Sequence, residues 1–413
     1  MSRFIYLDHN ATTSTDPRVV KAMLPYFNKL YGNPSSIYKF AQEAREAKEV
    51  ARGRVAKILN AKPEEIVFTS GGTEADNFAI KGITYANKEK GNHIITSKIE
   101  HHAVLNTCKW LEKQGLRVTY IGVDRYGVVD LDELRNAITD KTILITIMHA
   151  NNEIGTIEPI EEIGKILQEI NKQRITNNKP RIYFHTDAVQ TVGKIPIDVN
   201  PSADGLGIDL LSLSGHKFYG PKGVGALFVR KRTKINSLLH GGHHERNRRA
   251  GTENIPGIVG LGKTCEIAME EQEKEEKRLK ALRDRLEKAI VEKIDDVIIN
   301  GHPEKRLAGT LNICVKYVEG ESMLLNLDLE GIAASSGSAC TSGTLEPSHV
   351  LLALGIPPEV AHGSLRFSLG RDNTEEDIDH VIEVLPPIVK KLRAMSPFGR
   401  SREGGLRWDT QKR

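Results

Sequence analysis

The sequence predicts an α/β protein: a large domain built on a mainly parallel sheet, followed by a smaller α+β domain. Three observations lead there. From residue 65 onward short apolar runs alternate with helical stretches, a pattern that requires crossover connections and therefore parallel strands covered on both faces. Polar residues with useful chemistry follow these runs directly, where open α/β sheets bind their ligands. The 413 residues also exceed what one core fills, about 250 to 300, so two domains are expected. Their boundaries fall at 15–257 for the large domain, at 1–14 with 258–396 for the small one, and at 397–413 for a tail expected to be flexible.

Taken in order, Tyr6-Leu7-Asp8 begins as a short strand and runs into the polar turn His9-Asn10-Ala11-Thr12-Thr13. Thr15-Asp16-Pro17 starts a helix, proline suiting its first turn, with Val20, Met23, Leu24 and Phe27 as the expected buried stripe. Gly32-Asn33-Pro34-Ser35-Ser36 breaks the chain before a second helix at about 41–59. Ile66-Val67-Phe68 reads as a buried strand, Gly71-Gly72-Thr73 as a tight turn and 74–87 as a helix. Strands follow at 93–97, 117–121, 142–148, 182–186 and 209–213. Beyond Pro256 a long charged helix carries the apolar stripe Leu279, Leu282, Leu286, Ile290 and Ile294, and joins the small domain. That domain has strands at 297–299, 310–315 and 364–369, and a last helix capped by Thr374 with Asp377 three residues on.

The totals exclude several classes. A net charge of +4 without a basic, aromatic-laced stripe gives no case for nucleic acid. No apolar run approaches the ~18 residues that span a bilayer. The N-terminus reaches Asp8 too soon for a signal peptide, so a cytoplasmic location is expected. Cys108, Cys265, Cys314 and Cys340 lie far apart and form no Cys-x-x-Cys pair. Phosphate-loop and dinucleotide fingerprints fail: Pro221 stands where a Walker lysine belongs, and Leu210 breaks the pattern begun by Gly205 and Gly207.

The chemistry must then lie in the strand-end residues. Lys217, in Ser214-Gly-His-Lys217-Phe-Tyr-Gly-Pro-Lys-Gly, sits between an apolar run and a rigid turn, where desolvation would lower its pKa toward that of a nucleophile or Schiff-base amine. Gly71-Gly72-Thr73 offers free N–H groups and a hydroxyl to a phosphate, or simply a helix cap. Asp187 ends an apolar strand and needs a partner, either a backbone N–H or a charged ring nitrogen. The loop from His240 to Thr252 is Gly-rich and basic; its adjacent histidines impose no metal geometry, so it reads as phosphate-facing or partner-facing. Cys340 is flanked by Ser335, Ser336, Ser338, Thr341 and Ser342, which cannot build an apolar pocket, so it suits an exposed loop; Cys108 and Cys314 suit buried positions.

Together these motifs resemble the cysteine desulfurases, pyridoxal-phosphate enzymes of the class V aminotransferase family, and in particular the branch serving iron–sulfur cluster assembly. The resemblance runs from Tyr6 to about Pro397 through Tyr6-Leu-Asp-x-x-Ala-Thr-Thr, Thr69-Ser-Gly-x-Thr-Glu74, Glu100-His101-x-Ala-Val, Asn151-Asn-Glu-Ile-Gly155, Asp187-Ala-x-Gln190, the Lys217 motif and Ser336-Gly-Ser-Ala-Cys340-Thr-Ser. It implies the pyridoxal-phosphate-dependent transferase fold of type I with a seven-stranded sheet. It also implies that Lys217 carries pyridoxal 5′-phosphate, Asp187 pairs with the ring nitrogen, Gln190 bonds the phenolic oxygen, His101 stacks on the ring and serves in proton transfer, and Asn152 lines the site. Gly72, Thr73, Ser214 and His216 would hold the phosphate, joined by Thr252 from the second subunit of a homodimer. Arg366, assisted by Asn33, would hold the carboxylate of L-cysteine. Cys340 would take the sulfur as a persulfide, leaving alanine, and pass it to an iron–sulfur scaffold protein or another acceptor. No resident metal is implied, Cys340 serving at most as a passing iron–sulfur ligand. Alternatives from the same residues are a selenocysteine lyase, another class V lyase or transaminase, and a non-catalytic sulfur-relay or scaffold-binding protein; Lys217 counts against the last. Three stretches depart from the family: Ala250 replaces a common serine, 171–181 reads as a surface insertion, and the tail after Pro397 differs from relatives that use it for docking.

Overall fold

The computed structural model describes residues 4–200, 206–336 and 346–395. In chain order, β1 (Ile5–Tyr6) leads to α1 (Pro17–Met23), α2 (Pro25–Asn28) and α3 (Lys39–Ile58). A seven-stranded sheet follows: β2 (Ile66–Thr69), β3 (His93–Ser97), β4 (Arg117–Ile121), β5 (Thr142–Thr146), β6 (Tyr183–Asp187), β7 (Leu210–Ser214) and β8 (Gly225–Val229). Between these strands lie α4 (Gly72–Asn87), α5 (His102–Glu112), α6 (Leu131–Ala137) and α7 (Ile160–Thr176).

The sheet order is β2-β8-β7-β6-β5-β3-β4. Every strand except the edge strand β4 is buried along its whole length, which is why these segments read as apolar and β-branched runs without alternation. β8 runs antiparallel to both of its neighbours, β7 and β2. Two reversals restore the direction, so β2 points the same way as the parallel strands and its end joins theirs on one rim.

The helix α8 (Ile255–Lys293) serves two cores. Ile258, Leu261 and Cys265 pack under the seven-stranded sheet, whereas Leu282, Leu286 and Ile290 enter a second cluster. That cluster is closed by β9 (Val297–Asn300), β10 (Thr310–Val315), α9 (Gly320–Leu329), β11 (Ile332–Ala333), β12 (Ser364–Ser368) and α12 (Glu375–Met395), while α10 (His349–Ala353) and α11 (Pro358–Ala361) pack with Ile99, Met148 and Ile154 in a cluster of their own. β12, β10 and β9 form an antiparallel sheet, and β1 returns to pair in parallel with β11. At the start of α12, Thr374 and Asp377 bond each other's backbone N–H, as their spacing predicts. Among the described residues no helix is long and apolar enough to cross a membrane.

One expectation is corrected. Val20, Leu24 and Phe27 are exposed, and Val19 is the buried residue of α1. The reason is Pro25, which has no N–H to continue the helix, so α1 stops at Met23 and α2 begins afresh. The stretch 171–181, expected as a surface insertion, is largely exposed but tied to the fold at two points. It includes the last turns of α7, where Asn171 bonds both backbone groups of Ile182 and the buried Arg174 donates to the carbonyls of Thr139, Asp140, Thr142 and Pro180. Ser396 to Arg413 lies outside the described residues.

Candidate active site

Lys217 ends the 3-10 turn Gly215–Lys217 that follows β7. Its Nζ donates to the carbonyls of Asn10 at 2.7 Å and Ala11 at 2.8 Å. The turn needs glycine at 220, where an added Cβ would meet the Gly215 carbonyl oxygen at 2.7 Å. The N-terminal segment is clamped there as well, since Thr13 bonds the His216 carbonyl through both its N–H and its hydroxyl.

The other strand ends converge on the same place. At the end of β6, Asp187 accepts the Val189 N–H at 2.9 Å; burial pushes its carboxyl up to about 6 against the opposing charge of Lys217. Gln190 Nε2 donates to the Asn10 carbonyl at 2.9 Å, and its Oε1 accepts from Lys194 Nζ at 2.9 Å. His101 caps α5 by accepting the Ala103 N–H on Nδ1 at 3.1 Å, which leaves the proton of the neutral ring on Nε2. Burial, then the charge of Lys217, holds its pKa down at about 4.

A cleft of about 390 Å³ opens beside this group, lined by Thr12, Ser70, Gly72, Thr73, Ser214, His216 and Lys222. It lies at the N-terminus of the sixteen-residue α4, whose first turn has no side-chain cap. Open N–H groups, hydroxyls and a lysine at a helix start suit a phosphate. Gly72 leaves room that no other residue would: its Cβ would lie 2.6 Å from Val189 Cγ2. His216 Nδ1 pairs with Thr12 Oγ1 at 3.1 Å, and burial, then nearby lysines, hold its pKa at about 4. A phosphate cradle, a buried carboxylate and a lysine within one rim fit pyridoxal phosphate.

On the far side, Arg366 of β12 is buried. Its Nη2 donates to Asp8 Oδ1 at 2.6 Å and its Nη1 to the Asn152 carbonyl at 3.0 Å, while its Nε has no partner among the described atoms. Asn10 Nδ2 bonds that same Asn152 carbonyl at 3.1 Å and Thr310 Oγ1 at 3.0 Å.

Three candidates are not brought into this group. Asn33 is exposed and its Oδ1 accepts the Ser35 N–H; among the described contacts none joins it to the rim. Thr252 is exposed at the end of its loop. Cys340 lies outside the described residues, although the chain leaves and re-enters beside the site. Ser335 exchanges backbone bonds with Arg366, and Ser348 Oγ donates to buried Glu153 at 2.5 Å.

Sequence reasoning missed Asp8, Asn10 and Lys194. It also missed a buried polar layer under Asp187, where His185 bonds Thr146 Oγ1 at 2.8 Å and Ser212 Oγ at 3.0 Å beside Asp76. Burial, then the charge of Asp187, pushes the Asp76 carboxyl well above its ordinary range. The signal available for Asp8 and Asn10 was their place inside the Tyr6 to Thr13 motif, and for Lys194 its place one helical turn beyond Gln190.

The class V aminotransferase model matches residues 5–381. The chain is 59% identical over 397 residues to "Cysteine desulfurase IscS" of Methanosarcina thermophila, covering 96% of this chain and 95% of that one. It is 55% identical over 400 residues to "Cysteine desulfurase IscS" of Clostridium botulinum, covering 96% and 97%. A solved structure named "NIFS-LIKE PROTEIN" superposes with a TM-score of 0.86 at 38% identity, over 94% of this chain and 100% of that one. The chain therefore belongs to the class V aminotransferases, a pyridoxal 5′-phosphate-dependent family, and within it to the cysteine desulfurases.

Proposed function

We propose that the protein converts L-cysteine to L-alanine and takes the sulfur onto Cys340 as a persulfide, for delivery to iron–sulfur assembly or another acceptor. The observation that carries this reading is the convergence on Asn10. Its carbonyl accepts from Lys217 and Gln190, and its amide shares the Asn152 carbonyl with Arg366. A cofactor amine, a ring contact and a carboxylate-binding cation are thereby tied to one residue.

Pyridoxal phosphate, when bound, supplies an aldehyde that condenses with amines and a protonated ring that accepts electron density. The roles of the chain follow from position. Lys217 Nζ is the amine that anchors the cofactor, and Asp187 keeps a proton on the ring nitrogen. The Gln190 amide donates to the phenolic oxygen. Neutral His101 covers the ring and holds its proton at Nε2, while Asn152 lines the pocket. Gly72, Thr73, Ser214 and His216 cradle the phosphate. Arg366 takes the substrate carboxylate through the N–H groups that Asp8 and Asn152 leave uncommitted, and Asn33, which lies apart from the rim, would assist it. The Cys340 thiolate would form the new S–S bond as the C–S bond of cysteine breaks, and the side-chain carbon, keeping that electron pair, would take one proton to become the methyl of alanine. The flanks at Ser335 and Ser348 support this role, because they begin and end the Cys340 segment beside Arg366 and Glu153.

A homodimer is part of this reading. Leu24, Phe27, Tyr31, Ile37 and Tyr38 are exposed apolar residues close together in sequence, and Thr252 is free to reach a second subunit. The separate hydrophobic clusters support a division into a large and a small domain, the proposed 15–257 and 1–14 with 258–396, although the first half of α8 packs with the large core so that the two cores part within that helix.

Purified protein should show a visible cofactor band that Lys217→Ala abolishes. Cys340→Ser should keep the band and lose sulfide release. A colourless wild type saturated with pyridoxal phosphate, or normal sulfide release by Cys340→Ser, would overturn the reading. Alanine formed faster from selenocysteine than from cysteine would favour the lyase alternative.

A further inference from the structure

We propose that Lys194 is a positioning residue for the cofactor site: it fixes which end of the Gln190 amide faces the cofactor and sets the charge balance around the Lys217 amine. The inference rests on the site reading above and concerns a residue outside every motif that identifies the family.

The geometry is a small closed network. Lys194 Nζ donates to Gln190 Oε1 at 2.9 Å and to Asn10 Oδ1 at 3.3 Å. Gln190 Nε2 donates to the Asn10 carbonyl, which also accepts from Lys217. A primary amide has one accepting and one donating end, and an ammonium can only donate. Were Gln190 turned over, its N–H groups would face the ammonium and its oxygen would face the Asn10 carbonyl. Both contacts would be repulsive. Even a neutral Lys194 would leave two carbonyl oxygens opposed, so the amide is held with Nε2 toward Asn10 and Lys217. The Asn10 carbonyl accepts one of the two Gln190 Nε2 hydrogens, and the other is left for the phenolic oxygen.

The charge argument is separate. Burial, then the charges of Lys217 and Arg366, pushes the Lys194 amine down to about 7. The coupling is mutual, so a cation at 194 disfavours a proton on the nitrogen at 217. The other titratable groups facing this cluster do not cancel it. His9 and His216 are held neutral chiefly by burial, Asp8 is engaged by Arg366, and Asp187 lies on the Lys217 side.

The test is a pH titration of the visible band in cofactor-loaded, full-length protein. Lys194→Met and Lys194→Gln should raise the midpoint by on the order of one pH unit and speed loss of cofactor on dialysis about tenfold. Lys194→Arg should stay within a few tenths of a unit of wild type. An unchanged or lowered midpoint in whichever neutral variant folds would overturn the proposal. So would failure of both neutral variants to fold, because Lys194 is half-buried and outside the hydrophobic clusters. A band that survives Lys217→Ala would instead overturn the site reading, so the two failures are distinguishable.

Discussion

Arg366 donates to the Asp8 carboxylate at 2.6 Å, so the cation proposed to receive the substrate already carries an anion. With its other terminal nitrogen on the Asn152 carbonyl, the guanidinium is fixed at two corners.

Asp8→Asn should therefore loosen the aim of Arg366 and raise KM for cysteine about tenfold, with kcat changed by less than about threefold. Steady-state alanine formation reads both constants. A fall in kcat without a change in KM would show that Asp8 acts elsewhere.

Gly72→Ala should weaken cofactor binding by about tenfold, because the new methyl would strike Val189 in the turn whose N–H holds Asp187. Equilibrium dialysis measures the affinity. Unchanged binding would mean that the turn yields without cost.

The pH dependence of stability follows from buried acids. Glu100 accepts from Ser97 and Met148, and burial raises it from its ordinary 4.5 to about 8. The folded state holds this proton more tightly than the unfolded one, so its stabilisation is full below about 4.5 and is lost as pH rises through about 8. Glu153, raised to about 7, acts in the same sense. His101, His149 and His216, held at about 4, contribute stability that fades as pH falls from 6.5 through 4. Cofactor-free protein should accordingly be most stable near pH 6 to 7. From pH 6.5 to 8, Glu100→Gln should remove about 2 kcal/mol of the decline, read from melting curves at the two pH values.

Glu245 anchors the 240–252 loop. Both of its oxygens accept from Arg52, one also accepts the Phe68 N–H, and Arg249 farther along the loop pairs with Glu74 at the start of α4. Glu245→Gln should cost roughly 3 kcal/mol, since it leaves a buried guanidinium without its counter-charge. Glu49→Gln removes the half-exposed partner of the same arginine and should cost less than about 1 kcal/mol. Denaturant unfolding compares them, and equal costs would deny the difference in burial its importance.

How legible all this was depends on how each residue acts. The strands stood out because burial on both faces demands unbroken apolar runs, and the motifs at their ends pointed to Asp187, Gln190 and Lys217. β8 was not among the strands read, because Gly225 to Val229 follows the Gly/Pro turn of the Lys217 motif without a helix between, and the short connection from Ser214 makes it antiparallel. Asn10 was hidden because it works largely through its carbonyl, which every residue possesses. Lys194 was hidden because a lysine beside a glycine is ordinary until its partners are known. The stripe on α1 misled because Pro25 stops the helix before the period can repeat.

The return of β1 to β11, with His9 and Asn10 bonded to Ser368, also has a consequence for biosynthesis. Residues 5–13 leave the ribosome long before their partners in β11 and β12. Lys217 is translated midway and must wait for its carbonyl acceptors until that early segment is locked down by the late strand. Cofactor capture thus waits for β12, and a nascent chain stalled before that strand would hold a finished sheet with an unfinished site.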